Sequence, residues 1–463
     1  MRGKAAAKAP KIAARPTAAR LPKLPIPERV QLAIVFLPVL VTLVYIHLFA
    51  VDLPFQDQWA VVPALMHMES GHLHWGDIYR QHNEARMPVP MAVMLVVAKL
   101  TRYNVVAEAY VAYACLVGAL AVLFAFFRRM QRTLSVPTLA FLPIPVIFLG
   151  WRGHEGLLWG FGLTSSLGLL LLLLSAWGAI RATESAPWIC FAIAMAVLAL
   201  FSFGSGVLAW PLGLGILLFP PQGRRSPRLL LVWAAAAVAA TALYFNGYMI
   251  HRVPWDTGYL YALTHPVAAA QYALVYTGSA LGATAAADAW INIVLSFLLL
   301  PAAWTIARNA ELRKAVYPFA AVLALVLLTV PLLLSSRLGL GVDQPYYASR
   351  YAPMAALWPA GIYVALLAAD SRIKAWRYVL AAAFVLLCAG IQGGYREGLA
   401  AARVDQPKKA ACREILRNYR LLDDADLSCF YPDVELGRRN AFWLDEFHLG
   451  VFRESPGTGN AGR

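Results

Sequence analysis

Between residues 52 and 87 the chain gathers acidic side chains, a histidine, an asparagine and arginines in an arrangement suited to moving a proton. Val51-Asp52-Leu53-Pro54-Phe55-Gln56-Asp57-Gln58-Trp59 supplies Asp52 and Asp57. Asp77-Ile78-Tyr79-Arg80-Gln81-His82-Asn83-Glu84-Ala85-Arg86-Met87 supplies His82, Glu84 and Arg86. A carboxylate held beside a hydroxyl takes its proton as the oxygen attacks, and neighbouring His and Arg groups steady the charge. The competing reading is a solvated loop whose charges face water. A second cluster, Trp151-Arg152-Gly153-His154-Glu155, packs three ionisable groups into one turn. Such a turn needs solvent or a polar substrate, although Trp151 and Trp159 also suit an interfacial aromatic belt. The third cluster carries Arg337 in Ser335-Ser336-Arg337-Leu338-Gly339 and Arg350 in Ala348-Ser349-Arg350-Tyr351. A guanidinium meets phosphate oxygens through parallel hydrogen bonds, so these two arginines are phosphate-binding candidates, with Arg152 a weaker third. Snorkelling to lipid headgroups is the alternative. His67, His72, His74 and His82 follow no structural zinc spacing and have no cysteine among them, so no metal or other cofactor is expected.

The elements that must position these groups are membrane helices. Hydrophobic residues make up 60% of the chain and charged residues 14%, more apolar surface than a soluble domain of this length can hide. The apolar runs do not alternate, which excludes barrel strands, and most are long enough to cross a bilayer as helices. The formal charge of +15 falls in short segments beside these runs, the pattern of orientation signals and anionic-lipid contact rather than of nucleic-acid binding. The expected fold is therefore an all-α polytopic membrane protein of about eleven spans, near 30–50, 105–127, 136–150, 156–180, 187–203, 206–221, 228–247, 288–307, 315–334, 351–370 and 375–393.

With this count the basic stretches all fall on one side: residues 1–29, Arg128 to Arg132, Arg181, Arg224 to Arg228, Arg308 to Lys314, and Arg372 to Arg377. That side is expected to be cytoplasmic. Residues 1–29 carry eight Lys/Arg and one acid, and their Pro, Ala and Lys content predicts a disordered tail. The run Val30 to Ala50 is too long for a cleaved signal. The first outside loop is 51–104, and residues 88–100 and 267–287 are expected to re-enter or lie at the interface rather than span. Residues 394–463 turn polar and are expected to form a small outside cap. There Cys412 and Cys429 make a disulfide candidate or two free thiols, while Cys115, Cys190 and Cys388 sit in helices as small fillers.

Five short segments carry a resemblance: Phe55-Gln56-Asp57-Gln58-Trp59, His82-Asn83-Glu84-Ala85-Arg86, Glu155-Gly156-Leu157-Leu158-Trp159-Gly160-Phe161, Phe203-Gly204-Ser205-Gly206 and Ala348-Ser349-Arg350-Tyr351. With an Asp soon after the first helix, many spans and a polar C-terminal piece, the chain resembles the GT-C superfamily of membrane glycosyltransferases. More narrowly, it looks like a group of uncharacterised bacterial GT-C-like membrane proteins, over roughly residues 30 to 450. The resemblance implies an inner-membrane enzyme with its C-terminus in the periplasm. Such an enzyme moves a sugar from a polyprenyl-phosphate carrier to a glycan or lipid acceptor, with inversion. It also implies that the first-loop acid is the general base: Asp57 first, Asp52 second. The chain departs from the family where a paired acidic motif is common, since Gln56 and Gln58 flank Asp57, and this disfavours a bound divalent ion. A further departure is Gly156, where Asn is common.

The physical requirements agree with that scheme. A lipid phosphate leaves while an acceptor hydroxyl attacks, so a base must reach the hydroxyl and cations must face the phosphate. Two other functions use similar parts. A transporter or flippase for lipid-linked glycans should show internal repeats and ionisable residues at mid-membrane, and neither is visible; Glu108, near a helix end, comes nearest. An O-antigen-type polymerase or ligase would shift the chemistry to the later loops.

Overall fold

The computed structural model describes residues 26–221, 223, 225–249, 258–371 and 376–453. The basic tail up to residue 25, Arg224, and the basic residues between 372 and 375 lie outside the described residues, as do the charge and order expected of them. The protein is an all-α polytopic membrane protein. Among the described residues, eight helices are long and apolar enough to cross a bilayer: α1 Glu28–Phe49, α2 Val105–Leu134, α3 Gly160–Ala182, α4 Pro227–Phe245, α5 Ala285–Ala307, α6 Ala310–Leu340, α7 Ser349–Asp370 and α8 Trp376–Arg417. Helices satisfy every backbone group within one segment, which hydrocarbon demands. Among the described residues the one strand pairing is a two-residue hairpin, Gln81–His82 against Ala85–Arg86.

Three of the expected spans take another form. Residues 136–150 are not one helix. Pro137, Pro143 and Pro145 divide them into a 3-10 turn, Thr138–Phe141, and a short helix, Pro143–Phe148. This segment runs alongside α1, from Gln31, whose side chain accepts from the Leu139 N–H at 3.0 Å, to Thr42, whose hydroxyl donates to the Leu149 carbonyl at 3.0 Å. Eleven residues of α1 rise only about 17 Å, against roughly 30 Å of hydrocarbon. The Trp151 turn that follows therefore sits below the end of α1, where Trp151 stacks on Tyr45. The expected spans 187–203 and 206–221 are likewise short, at Trp188–Leu200 and Gly204–Leu218.

Helix ends fall into two groups. At one end Arg128 pairs with Glu28 at 2.6 Å and Arg129 with Glu184 at 2.5 Å. At the other end the first loop, the turns after residues 150 and 203, the ends of α4 and α6, and the C-terminal segment all meet. Pro88–Thr101 is a 14-residue helix of this second end, too short to span. Pro266–Gly278 runs back along the first turns of α5, where the Asn292 amide donates to the Leu274 carbonyl at 3.3 Å.

The C-terminal segment mixes helix and loop, as expected, but its first helix is a continuation of the last long one. The helix does not stop where the sequence turns polar: α8 continues through Gly394 and Pro407 to Arg417, 42 residues in all. At 1.5 Å per residue this is about 63 Å, so roughly half must project beyond a bilayer. The projecting half, Asp424–Leu427 and Val434–Glu446 form no independent cap. They share a core with the first loop, in which Trp59 and Leu65 pack with Leu416, Phe430 and Leu444. The Trp59 indole donates to the Phe430 carbonyl at 3.0 Å, and the Gly450 N–H to the Arg102 carbonyl at 2.9 Å. Cys412 and Cys429 form a disulfide within this unit, with Cα atoms 5.9 Å apart.

Candidate functional site

Asp57 is carried by a 3-10 turn, Gln56–Val61, just beyond α1. The turn is pinned on both sides: the Trp159 indole donates to the Phe55 carbonyl at 3.0 Å, and Trp59 is buried under Phe430. Gln58 points inward, where its amide donates to the buried carboxylate of Glu108 on α2. Gly160 makes room for that pair, because a Cβ there would lie 2.8 Å from the Val105 carbonyl oxygen and 2.9 Å from the Glu108 carboxylate. Gln56 takes φ 48°, in the left-handed region, and consecutive side chains there face different cavities: Gln56 one, Asp57 another.

His82 arrives on the hairpin. Asn83 at its tip has φ 49°, a backbone region Asn tolerates better than most residues. This turn leaves His82 facing Asp57, with His82 Nε2 3.6 Å from Asp57 Oδ1. The imidazole is the largest influence holding the Asp57 carboxyl below its ordinary value; partial burial opposes it, and the charges of His82, Arg350 and Arg337 add to it. Asp57 is thus ionised at neutral pH.

Both outer arginines reach the same place. Arg337, at the end of α6, pairs with Glu84. Arg350, at the start of α7, pairs with Glu155, and the Arg350 N–H also donates to that carboxylate at 3.3 Å. The Glu155 N–H donates to Ser349 Oγ at 3.1 Å, which ties the two turns together. Asp57, His82, Glu84, Arg337 and Arg350 line one cavity of about 390 Å³. Leu169, Leu200, Phe203, Leu332, Leu333 and Met354 give the same cavity a broad apolar lining. Charged and apolar side chains therefore share one space between the helices.

Three residues expected at the site have structural tasks instead. The buried carboxylate of Asp52 accepts from the Val105 N–H at 2.9 Å, capping α2 alongside Asn104, and pairs with Arg453 at 2.6 Å. It does not line the cavity, so its candidacy as second base is corrected. Arg86 is buried, donates to the Asn246 carbonyl at 2.9 Å and lies over the Tyr79 ring, which fastens the hairpin to α4. Arg152 is 2% exposed, pairs with Glu397 at 3.2 Å and covers Tyr346; as a phosphate ligand it is corrected too. Of the clustered histidines, His67 and His74 meet at Asp77 rather than at the cavity: His67 pairs with its carboxylate at 2.9 Å, and the His74 N–H donates to it at 2.9 Å at the start of the short helix Trp75–Tyr79.

His154 and Glu155 line a second cavity of about 720 Å³ on the other side of the Arg350–Glu155 pair. Its far wall is the projecting part of α8, with Asp405, Lys408 and Lys409. Sequence reading did not assign these residues to any site. The available signal was that, from Gly394 to Gln406, no proline interrupts the helical run. Tyr276 and Tyr351 in the first cavity were missed as well, although Tyr276 belongs to the stretch expected to re-enter.

No protein-family model, curated protein or solved structure matches this chain.

Proposed function

We propose that the protein is a membrane glycosyltransferase of the GT-C type. In this reading it moves a sugar from a polyprenyl-phosphate carrier to a glycan or lipid acceptor, with inversion, by one direct displacement. The observation that carries this reading is the first cavity, which combines an ionised acid with its histidine, two arginines and an apolar lining in one space. An amphipathic donor fits such a division: polyprenyl chain toward Leu169 and Leu332, phosphate toward Arg337 and Arg350, sugar toward Asp57. Asp57 takes the acceptor proton as its oxygen attacks the anomeric carbon. The bond to the carrier phosphate breaks with its electrons, and the arginines receive the developing charge. No second carboxylate acid is required, because a phosphate leaves without protonation.

The site is assigned to the periplasmic face of an inner membrane, with eleven crossings once the three short segments are counted. Supporting this orientation, Arg128, Arg129, Arg132 and Arg181 all belong to the end opposite the site. The discriminating experiment supplies purified protein in liposomes with polyprenyl phosphate carrying a radiolabelled sugar. Release of the sugar from its carrier onto an acceptor supports transfer. Movement of the intact carrier-linked sugar across the bilayer, without cleavage, would replace the reading with a flippase.

A further inference from the structure

The second cavity differs from the first in chemistry. Its walls bring together Gln56, Gln344 and Asp405, whose planar groups can bind paired hydroxyls, and two lysines, Lys408 and Lys409. His154 Nδ1 is buried and has no hydrogen-bond partner among the described residues. Tyr347 lines the same space and is 75% exposed, so its ring is open to a ligand. Lys409 is held over the Phe55 ring at 5.2 Å, on the segment that leads directly to Asp57. With Glu155 committed to Arg350, the remaining charges are two lysines against one aspartate, a positive balance.

We infer that this second cavity binds an acidic saccharide, a hydroxyl-rich chain bearing carboxylate or phosphate groups, with Tyr347 as stacking platform and Lys408 and Lys409 as its anion partners. Exposed aromatic rings take the apolar face of a sugar, amides and carboxylates take its hydroxyls, and lysines give the preference for charge. Taken with the transfer reading above, on which this role rests, the saccharide is the acceptor. The Arg350–Glu155 pair is then the partition between donor and acceptor, and the turn at Gln56–Asp57 is the place where the two spaces meet.

The test uses full-length protein in detergent and two probes, an acidic tetrasaccharide of alternating glucuronic acid and N-acetylglucosamine, and the neutral tetrasaccharide of cellulose. Saturation-transfer NMR and equilibrium dialysis measure binding. The acidic probe is expected to bind more tightly than the neutral one. Tyr347→Ala and Lys408→Gln, both at exposed positions, should each weaken it by roughly five- to tenfold, the effect of losing one well-used contact. Tyr347→Trp should retain binding because the platform remains. Equal binding of the two probes, or acidic-probe binding unchanged in Tyr347→Ala and Lys408→Gln, would overturn the inference even if wild type transfers sugar. Conversely, selective acidic binding lost in those variants, in a protein that cleaves no polyprenyl-phosphate sugar, would keep the cavity as a saccharide site and remove the transfer reading.

Discussion

His82 Nε2 lies 3.6 Å from Asp57 Oδ1, although the two residues come from different elements, a 3-10 turn and a hairpin strand. The contact explains why this carboxyl stays ionised below the ordinary range. For a group whose folded value is depressed, the charged form is present at neutral pH and is lost only as pH falls through that low value. His82→Ala removes the main influence, so the Asp57 value should rise toward that of a free carboxyl. The acid limb of the kcat/KM profile should then move to higher pH. A limb that stays in place or moves lower would mean that Asp57 is not the titrating base.

Arg337 and Arg350 each already face a carboxylate, Arg337 with Glu84 and Arg350 with Glu155. A phosphate must compete with those partners. Arg337→Ala and Arg350→Ala should weaken binding of polyprenyl phosphate, and lysine should restore it only in part because a point charge lacks the two-pronged geometry. Glu84→Gln should tighten the same binding by roughly three- to tenfold, since it frees a guanidinium without removing it. Weaker binding in Glu84→Gln would show that Glu84 itself holds the donor.

Gly160 is required by packing. Alanine there would press on the Gln58–Glu108 pair beneath the Asp57 turn. Gly160→Ala should cost about 1–3 kcal/mol, the usual effect of overfilling a tight site. Thermal unfolding in detergent would record it as a lower midpoint, and Gly215→Ala, where the added methyl meets nothing, serves as the control. Equal midpoints for the two variants would contradict the packing account.

The disulfide closes a loop of 17 residues in the unit that shares a core with Trp59. Cys412→Ser with Cys429→Ser should lower stability by about 3 kcal/mol in the chain-entropy account. The double variant should also become more sensitive to protease between α8 and Val434. Digestion indistinguishable from wild type would show that the Trp59–Phe430 packing alone holds this segment.

Much of the site was legible because charge counting put three loops at one end of the bundle, and that end is where Asp57, His82, Glu84, Arg337 and Arg350 meet. What the sequence does not distinguish is a working charge from a structural one. Asp52 looks as available as Asp57, but its partner Arg453 is some four hundred residues away. Arg152 looks like Arg337 until its burial is seen: it is 2% exposed, whereas Arg337 lines the first cavity. The break at 138–148 was obscured because the stretch is apolar apart from Thr138 and only its prolines mark it. At Gly394 the reverse applied: a change to polar composition marks where a helix leaves the membrane, and nothing requires the helix to end there.

The central claim is that Asp57 is the general base of a transfer reaction, and one measurement reaches it most directly: turnover of a radiolabelled polyprenyl-phosphate sugar by Asp57→Asn beside wild type, with donor binding measured on the same preparations. Asparagine keeps the shape and removes the proton acceptor. Turnover should therefore fall by roughly 10²- to 10⁴-fold, the usual contribution of a positioned base. Donor binding should persist, because Arg337 and Arg350 are untouched, and Asp52→Asn, a cap on α2, should affect stability more than turnover. Normal transfer by Asp57→Asn would contradict the account.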